Sequence, residues 1–526
     1  PADQPYDLPN AGDQEPLAEY RIANVKTSSV DKDATAAVLK YADFSHYADY
    51  FNGMEDENIA QAIPNAKASE WMEENIPLFE CPQRNFEEMY YYRWWSLRKH
   101  IKETPVGYGM TEFLVQRSYS DKYNLIACAI GHHIYESRWL RDPKYLNQII
   151  HTWYRGNDGG PMNKMNKFSS WNADAVLARY MVDADKDFML DMKENLEAEY
   201  QRWECTNRLQ NGLYWQGDVQ DGMEESISGG RKKKYARPTI NSYMYGNAKA
   251  LSLMGILSDD EGMAMRYGMR ADTLKRLVQD KLWNSRHQFF ETMRADSSAN
   301  VREAIGYIPW YFNLPDTVKQ YEVAWKEIMD ENGFSAPYGL TTAERRHPEF
   351  RTHGVGKCEW DGAIWPFASA QTLTAMANFM NNYPQRVLSD SVYFRQMELY
   401  VESQYHRGRP YIGEYLDEVT GYWLKGDQER SRYYNHSTFN DLMITGLIGL
   451  RPRLDDTVEV NPLIPADKWD WFCLDNVLYH GRNLTILWDK YGDRYHRGKG
   501  LRIFVDGKQV GYADRLTRII CENVLK

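Results

Sequence analysis

Two stretches carry side chains that could move protons. The first is 215-WQGDVQDGMEESISG-229, where Asp218, Asp221, Glu224 and Glu225 crowd together, with Glu204 and Trp215 nearby. Glycines at 217, 222, 229 and 230 break any regular helix or strand through it. The second is 414-EYLDEVTG-421, with Glu414, Asp417 and Glu418. Two separated carboxyl groups can divide acid–base work: one delivers a proton to a leaving oxygen, the other takes one from an attacking water. The acid must hold its proton near neutrality and the base must not. Crowding achieves this, because a like charge raises a carboxyl pKa. Asp221 and Glu225 flank Glu224 and are expected to act so, with burial against Trp215 in the same direction. Within each loop the residues alone leave the choice open, Glu224 against Glu225 and Glu414 against Asp417 or Glu418.

Other residues are candidates for gripping a sugar. In 360-WDGAIWP-366, Asp361 lies beside Trp360 and near Trp365, a carboxylate next to rings that can stack on pyranose faces. Asp361 can equally open the helix that follows, where the dipole favours an anion. Arg93 and Trp94 sit in 90-YYYRWWSLRKHI-101, either a funnel loop or the apolar face of a helix. Trp171 and Asp174 stand where a loop enters a helix, Asn241 opens another helix, and His436 precedes a third. The pair His132-His133 suggests a metal, but adjacent residues point apart on a helix and no third ligand follows, so a sugar contact, taken for His132, or a hydrogen-bonded core role is the reading. No metal and no cofactor is expected. No nucleotide-binding glycine loop is present.

These residues need a large frame. The chain has 526 residues, 43% hydrophobic, 26% charged and 14% aromatic, ordinary for a globular protein except for its aromatic content. Net charge is −11, and the one dense basic run, 231-RKKK-234, is short, which argues against nucleic acid or an anionic membrane as partner. No apolar run reaches the length of a membrane span. The six cysteines show no metal or redox spacing. The chain opens at Pro1 without Met or a signal peptide, read as a processed start or a cut piece from which a signal could have been lost, and a periplasmic or extracellular location is expected.

Residues 1–32 read as an N-terminal arm. From 33 to 452 apolar residues recur at three and four, as in 58–76, 186–204, 242–257, 268–283, 364–380 and 388–404, with Ser258 to Glu261 resembling a capping box. From 453 to 526 the pattern alternates, and Asp506-Gly507 marks a hairpin. The expected fold is mainly α, a toroid of paired helices stacked in a closed ring whose loops meet in a funnel, followed by a small all-β, sandwich-like module.

Four segments in order carry a resemblance. The run 222-GMEES-226 with 237-RPTINSYMY-245, then 360-WDGAIWP-366, 414-EYLDEVTG-421 and 435-NHSTFNDLMITGLIGLRP-452 resemble motifs of the glycoside hydrolase family 63 and mannosylglycerate hydrolase-like clan of six-hairpin glycosidases. The resemblance implies an (α/α)6 barrel and an inverting mechanism, with the general acid at Glu224 and the general base at Glu414. Two positions depart from it: Glu224 stands where the family has Asp, and Asp361 where it has Arg, reversing a charge. The expectation is an inverting, exo-acting glycoside hydrolase removing a terminal sugar from an oligo- or polysaccharide, with glucoside, mannoside and arabinofuranoside left open. A polysaccharide lyase on a helical toroid, or an inactive glycan-binding protein, is the alternative.

Overall fold

The computed structural model describes residues 37–317 and 320–526, and the backbone of Tyr20–Ile22. The remainder of the expected arm 1–32 lies outside the described residues.

Helices dominate to about residue 450, and their burial separates them into two kinds. Pro238–Leu257 and Pro366–Asn382 are apolar nearly all round and buried along most of their length, which places them inside. Each starts with proline at its first turn, where the missing N–H costs nothing. Glu261–Lys281 buries Met263, Tyr267, Ala271, Leu274 and Val278, a single stripe at helical spacing, as expected of an outer helix. Lys193–Asn207 does the same with Leu196, Tyr200 and Trp203.

The inner helices touch in sequence. Ile130–Ser137 packs on Asn172–Asp183, that helix on Pro238–Leu257, and that one on Ile308–Tyr311; Ile308–Tyr311 meets Pro366–Asn382, which meets the π-helix Leu442–Leu447. The last segment returns to the first. The Glu136 carboxylate accepts backbone N–H groups of Phe439, Asn440 and Asp441 at 2.8–3.2 Å. Asp441 in turn accepts from Arg138 at 2.9 Å and Trp139 at 2.7 Å. One glycine is demanded by this packing: a Cβ on Gly131 would stand 2.1 Å from the Trp171 ring.

The expected helix boundaries shift locally. Segment 58–76 is helical only over Asn65–Lys67 and Ala68–Asn75, and 186–204 divides into Lys186–Asp191 and Lys193–Asn207. The cap of Glu261–Lys281 is Asp260, whose carboxylate accepts the Met263 N–H at 2.9 Å, not Ser258.

The C-terminal region is β. A five-stranded antiparallel sheet runs in the order Leu78–Glu80, Trp471–Tyr479, Arg482–Asp489, Gly500–Val505, Lys508–Ala513, its edge strand supplied by the helical region. A second sheet orders Tyr20–Ile22, Ile519–Cys521, Val458–Val460 and Leu450–Arg451. Asp506 and Gly507, at φ 48° and 77°, form the two-residue turn between Val505 and Lys508. Among the described residues no helix is long and apolar enough to cross a membrane.

Candidate active site

The acidic loop is held by ion pairs that sort its carboxylates. Asp221 is buried and spends both oxygens: Oδ1 accepts from Ser169 at 2.8 Å, and Oδ2 from Arg237 at 2.6 Å and from Thr239. Gly222 follows in the left-handed region, φ 72°, where the chain turns, with the Met223 N–H bonded back to the Asp218 carbonyl at 2.8 Å. Glu225, also at positive φ, turns to Arg231 with contacts of 2.6 and 2.9 Å. Both expected neighbours of Glu224 are therefore matched to guanidinium groups, and neither supplies the expected like-charge pressure. Nor does Trp215 bury it. That ring lies under the Lys234 ammonium, 4.3 Å from its centroid, in a separate depression.

Glu224 keeps some surface open, yet burial of its carboxyl is the main force pushing its pKa up to about 7. A hydrogen bond from its own backbone opposes this, and the charges of Glu414, Asp218 and Glu112 add to it. The crowding is real but its source is tertiary. Glu414, 190 positions later in the chain, faces the same site. It is 5% exposed, with Lys425 Nζ at 3.4 Å and Arg430 Nη1 at 3.5 Å from Oε2. That oxygen has no hydrogen-bond donor. Two cations offset the cost of burying the carboxylate while one lone-pair direction stays available to a water.

The rivals are otherwise engaged. Asp417 accepts from Val419 and Thr420 and pairs with Arg351 at 3.4 Å, and Glu418 also pairs with Arg351. The nearby Arg407 and Arg409 bond Asp427 and the Met54 carbonyl.

A third carboxyl in the site has no sequence signal. Glu112, 3% exposed, accepts from Cys128 Sγ at 3.1 Å and borders Tyr434; burial is the main cause lifting it to about 7, with Glu414 adding. It lies in 110-MTEFL-114, which reads as an ordinary buried turn. Lys425, Arg430 and Tyr434 were equally unmarked.

One wall is aromatic. Trp360 stacks on Trp365 at 4.5 Å, and Trp365 on Tyr415 at 4.5 Å. Phe367 carries the wall on to His132 at 4.5 Å, which meets Trp171 at 5.0 Å. His436 lies 5.9 Å from Phe367 and 4.0 Å from Tyr434. Burial holds both imidazoles neutral, His132 at about 3 and His436 well below its usual value. The ring nitrogens of His132 and His436 make no full hydrogen bond, only loose approaches to backbone, Nε1 of Trp171 only a loose approach to Tyr311, and Nε1 of Trp360 is unpartnered. Unpaired buried donors and acceptors on an aromatic surface suit sugar hydroxyls and ring faces.

Several expected site residues are placed in framework roles. Arg93 bonds Gln404 at 2.7 Å and Ser437 at 2.8 and 2.9 Å, and Trp94 is fully buried beside Tyr90. The Asn241 amide is consumed by the Tyr214 backbone, N–H and C=O both at 2.8 Å. Asp174 accepts from Tyr135 at 2.7 Å and lines a 320 Å³ cavity with Arg138, Lys249 and Arg451, away from Glu224. Asp361 is fully buried; Oδ2 accepts the N–H groups of His353 and Gly354 at 2.6 and 3.0 Å, while Oδ1 is unpartnered. It does not open a helix, because the helix begins at Pro366. Among the described residues no group of three His, Cys, Asp or Glu is placed to hold a metal ion.

Comparison with known proteins shows the family. Residues 122–437 match the mannosylglycerate hydrolase MGH1-like glycoside hydrolase domain, and residues 450–511 the C-terminal domain of glycosyl hydrolase family 65. The chain belongs to the family of MGH1-like glycoside hydrolase domains. A solved structure named as a sialidase is 89% identical over the whole of this chain, TM-score 0.93, and this chain spans 48% of that one. A GH63 mannosylglycerate hydrolase from Thermus thermophilus, in complex with Tris and D-glycerate, is 11% identical, TM-score 0.51, covering 66% of this chain and 97% of that one. A GH78 family rhamnosidase from a Bacillus species is 10% identical, TM-score 0.55, covering 78% and 40%. These last two likenesses are of fold alone.

Proposed function

We propose that the chain is an inverting, exo-acting glycoside hydrolase built on an (α/α)6 toroid over 33–452 with a β module at 453–526. Glu224 is the general acid and Glu414 the general base. The observation that carries this reading is the contrast between the two carboxyls in one site. Glu224 is desolvated and pushed up to about 7, whereas Glu414 has Lys425 and Arg430 beside it. Environments that differ in this way assign acid and base roles to a carboxyl pair. Glu224 holds the proton that the leaving oxygen receives. Glu414 Oε2 holds a water and takes its proton as the water attacks the anomeric carbon from the opposite face.

The toroid is supported by the run of inner-helix contacts closing through Glu136 and Asp441. Exo action is supported by enclosure, since Glu414, His132, His436, Trp171 and Trp360 are all buried. A site closed on those sides takes in a chain end more readily than a chain interior.

The name sialidase belongs to a chain about twice as long and does not fix the sugar taken here. The test is a screen of aryl glycosides (glucoside, mannoside, arabinofuranoside and sialoside) with product anomers followed by NMR. First-formed product of inverted configuration supports the reading. Retained configuration would place the carboxyls at about 5–5.5 Å and make one a nucleophile. An unsaturated product absorbing in the enone band would mean a lyase.

A further inference from the structure

The basic run 231-RKKK-234 has no part in the acid–base pair, yet it follows directly on the acid's loop. Its four side chains, with Lys167, edge a depression of about 320 Å³, at the lower end of ligand-pocket sizes. No carboxylate lines it, in a chain whose net charge is −11. Glu225 takes Arg231, and among the described residues no carboxylate pairs with Lys232, Lys233 or Lys234. Trp203 and Trp215 form the apolar part of the wall, with Lys234 over the Trp215 ring. Asn166 adds a buried side-chain N–H donor that has no acceptor. Positive charge, stacking surface and an unused donor converge on one concavity.

Its position fixes which part of a substrate it meets. Arg231, on the rim of the depression, bonds Glu225, the residue next to Glu224, at 2.6 and 2.9 Å, whereas the cations beside Glu414 are Lys425 and Arg430. The depression thus stands on the side of the group that protonates the leaving oxygen. We propose that it is a leaving-group subsite for an anionic sugar, whose carboxylate or sulfate meets Lys232, Lys233 and Lys234 and whose ring packs against Trp215. This rests on the hydrolase reading for the word leaving, and on the depression itself for the ligand class. A neutral glycan would leave the three ammonium groups no partner, and small anions would not need the tryptophans.

The experiment is isothermal titration calorimetry of the full chain with three uronate tetrasaccharides (galacturonate, glucuronate and mannuronate), the carboxyl-reduced form of each, and a sulfated tetrasaccharide. The expected result is at least about tenfold tighter binding of one acidic sugar than of its reduced form. That preference should weaken as salt rises and vanish in Lys232→Ala/Lys233→Ala/Lys234→Ala, with unchanged thermal unfolding. The tighter of the carboxylate and sulfate arms names the anion. Equal affinity for acidic and reduced sugars, or a triple variant that binds as wild type does, overturns the inference. Glu224→Gln separates the two readings: if it abolishes turnover of neutral aryl glycosides while acidic sugars bind no tighter than reduced ones, only the subsite falls. If acidic sugars bind in a lysine-dependent way and no glycoside is turned over, the hydrolase reading falls and the anion site stands.

Discussion

Asp221 and Arg237 form an ion pair of 2.6 Å in which both side chains are buried, and it fastens the loop that carries Glu224 to the start of the helix Pro238–Leu257. Ser169 and Thr239 complete the carboxylate's bonding. The pair's worth as a stabiliser is modest, but removing one partner strands the other. Asp221→Asn is therefore expected to cost roughly 3–5 kcal/mol, measured by denaturant unfolding, and to lower activity through loss of loop position. A midpoint equal to that of wild type would mean that the loop is held by other contacts.

Glu224→Gln and Glu414→Gln should each reduce turnover at least about 10²-fold, the scale of positioned acid–base catalysis. Glu225→Gln and Asp417→Asn should stay close to wild type, because those carboxylates serve Arg231 and the turn at Thr420. Steady-state kinetics on any accepted aryl glycoside decides it, and a near-normal rate in Glu224→Gln removes that residue from the acid role.

The pH profile follows from Glu224. The protonated form is the active acid and its pKa is raised to about 7, so kcat/KM should fall as pH rises through about 7. Glu112 and Glu414 contribute to that rise, so the limb reports the coupled group. Glu112→Gln takes away one like charge and should move the limb to lower pH. A limb that stays in place in this variant would separate Glu112 from the titration.

Stability should carry the same signature with a definite sign. Glu112 is raised from 4.5 to about 7 by folding. Below about 4.5 it is protonated folded or unfolded; between the two values only the unfolded chain ionises. Its contribution is therefore fully present at low pH and lost as pH rises through about 7. Glu112→Gln abolishes that loss and should unfold at a higher temperature than wild type at pH 8, with a smaller gain or none at pH 5. By linkage the difference is on the order of 3 kcal/mol at most. Calorimetry at the two pH values tests it, and a larger gain at pH 5 would contradict the sign.

What the sequence determined by itself was what depends on neighbours along the chain. Apolar residues at three and four gave the buried stripe of Glu261–Lys281, alternation gave the C-terminal strands, and Asp506-Gly507 gave a turn that only residues tolerant of positive φ form easily. The first acid-bearing loop was legible because glycines interrupt it and carboxylates concentrate there, and the second through its resemblance to a family motif. Period fails at boundaries, where one hydrogen bond decides, as when Asp260 rather than Ser258 caps its helix. The state of each carboxylate was decided only by tertiary structure, because Coulomb energy depends on distance in space and on local desolvation. Asp221 and Glu225 looked like the pressure on Glu224, and Arg237 and Arg231 claim them. The pressure comes from burial and from Glu414, Asp218 and Glu112. Trp215 looked like the wall of the acid, and it stands beside Lys234 in a depression of its own. Folding brought Glu112, Glu224, Glu414, Lys425 and Arg430 to one place from across more than 300 positions of chain, and no local pattern records that meeting.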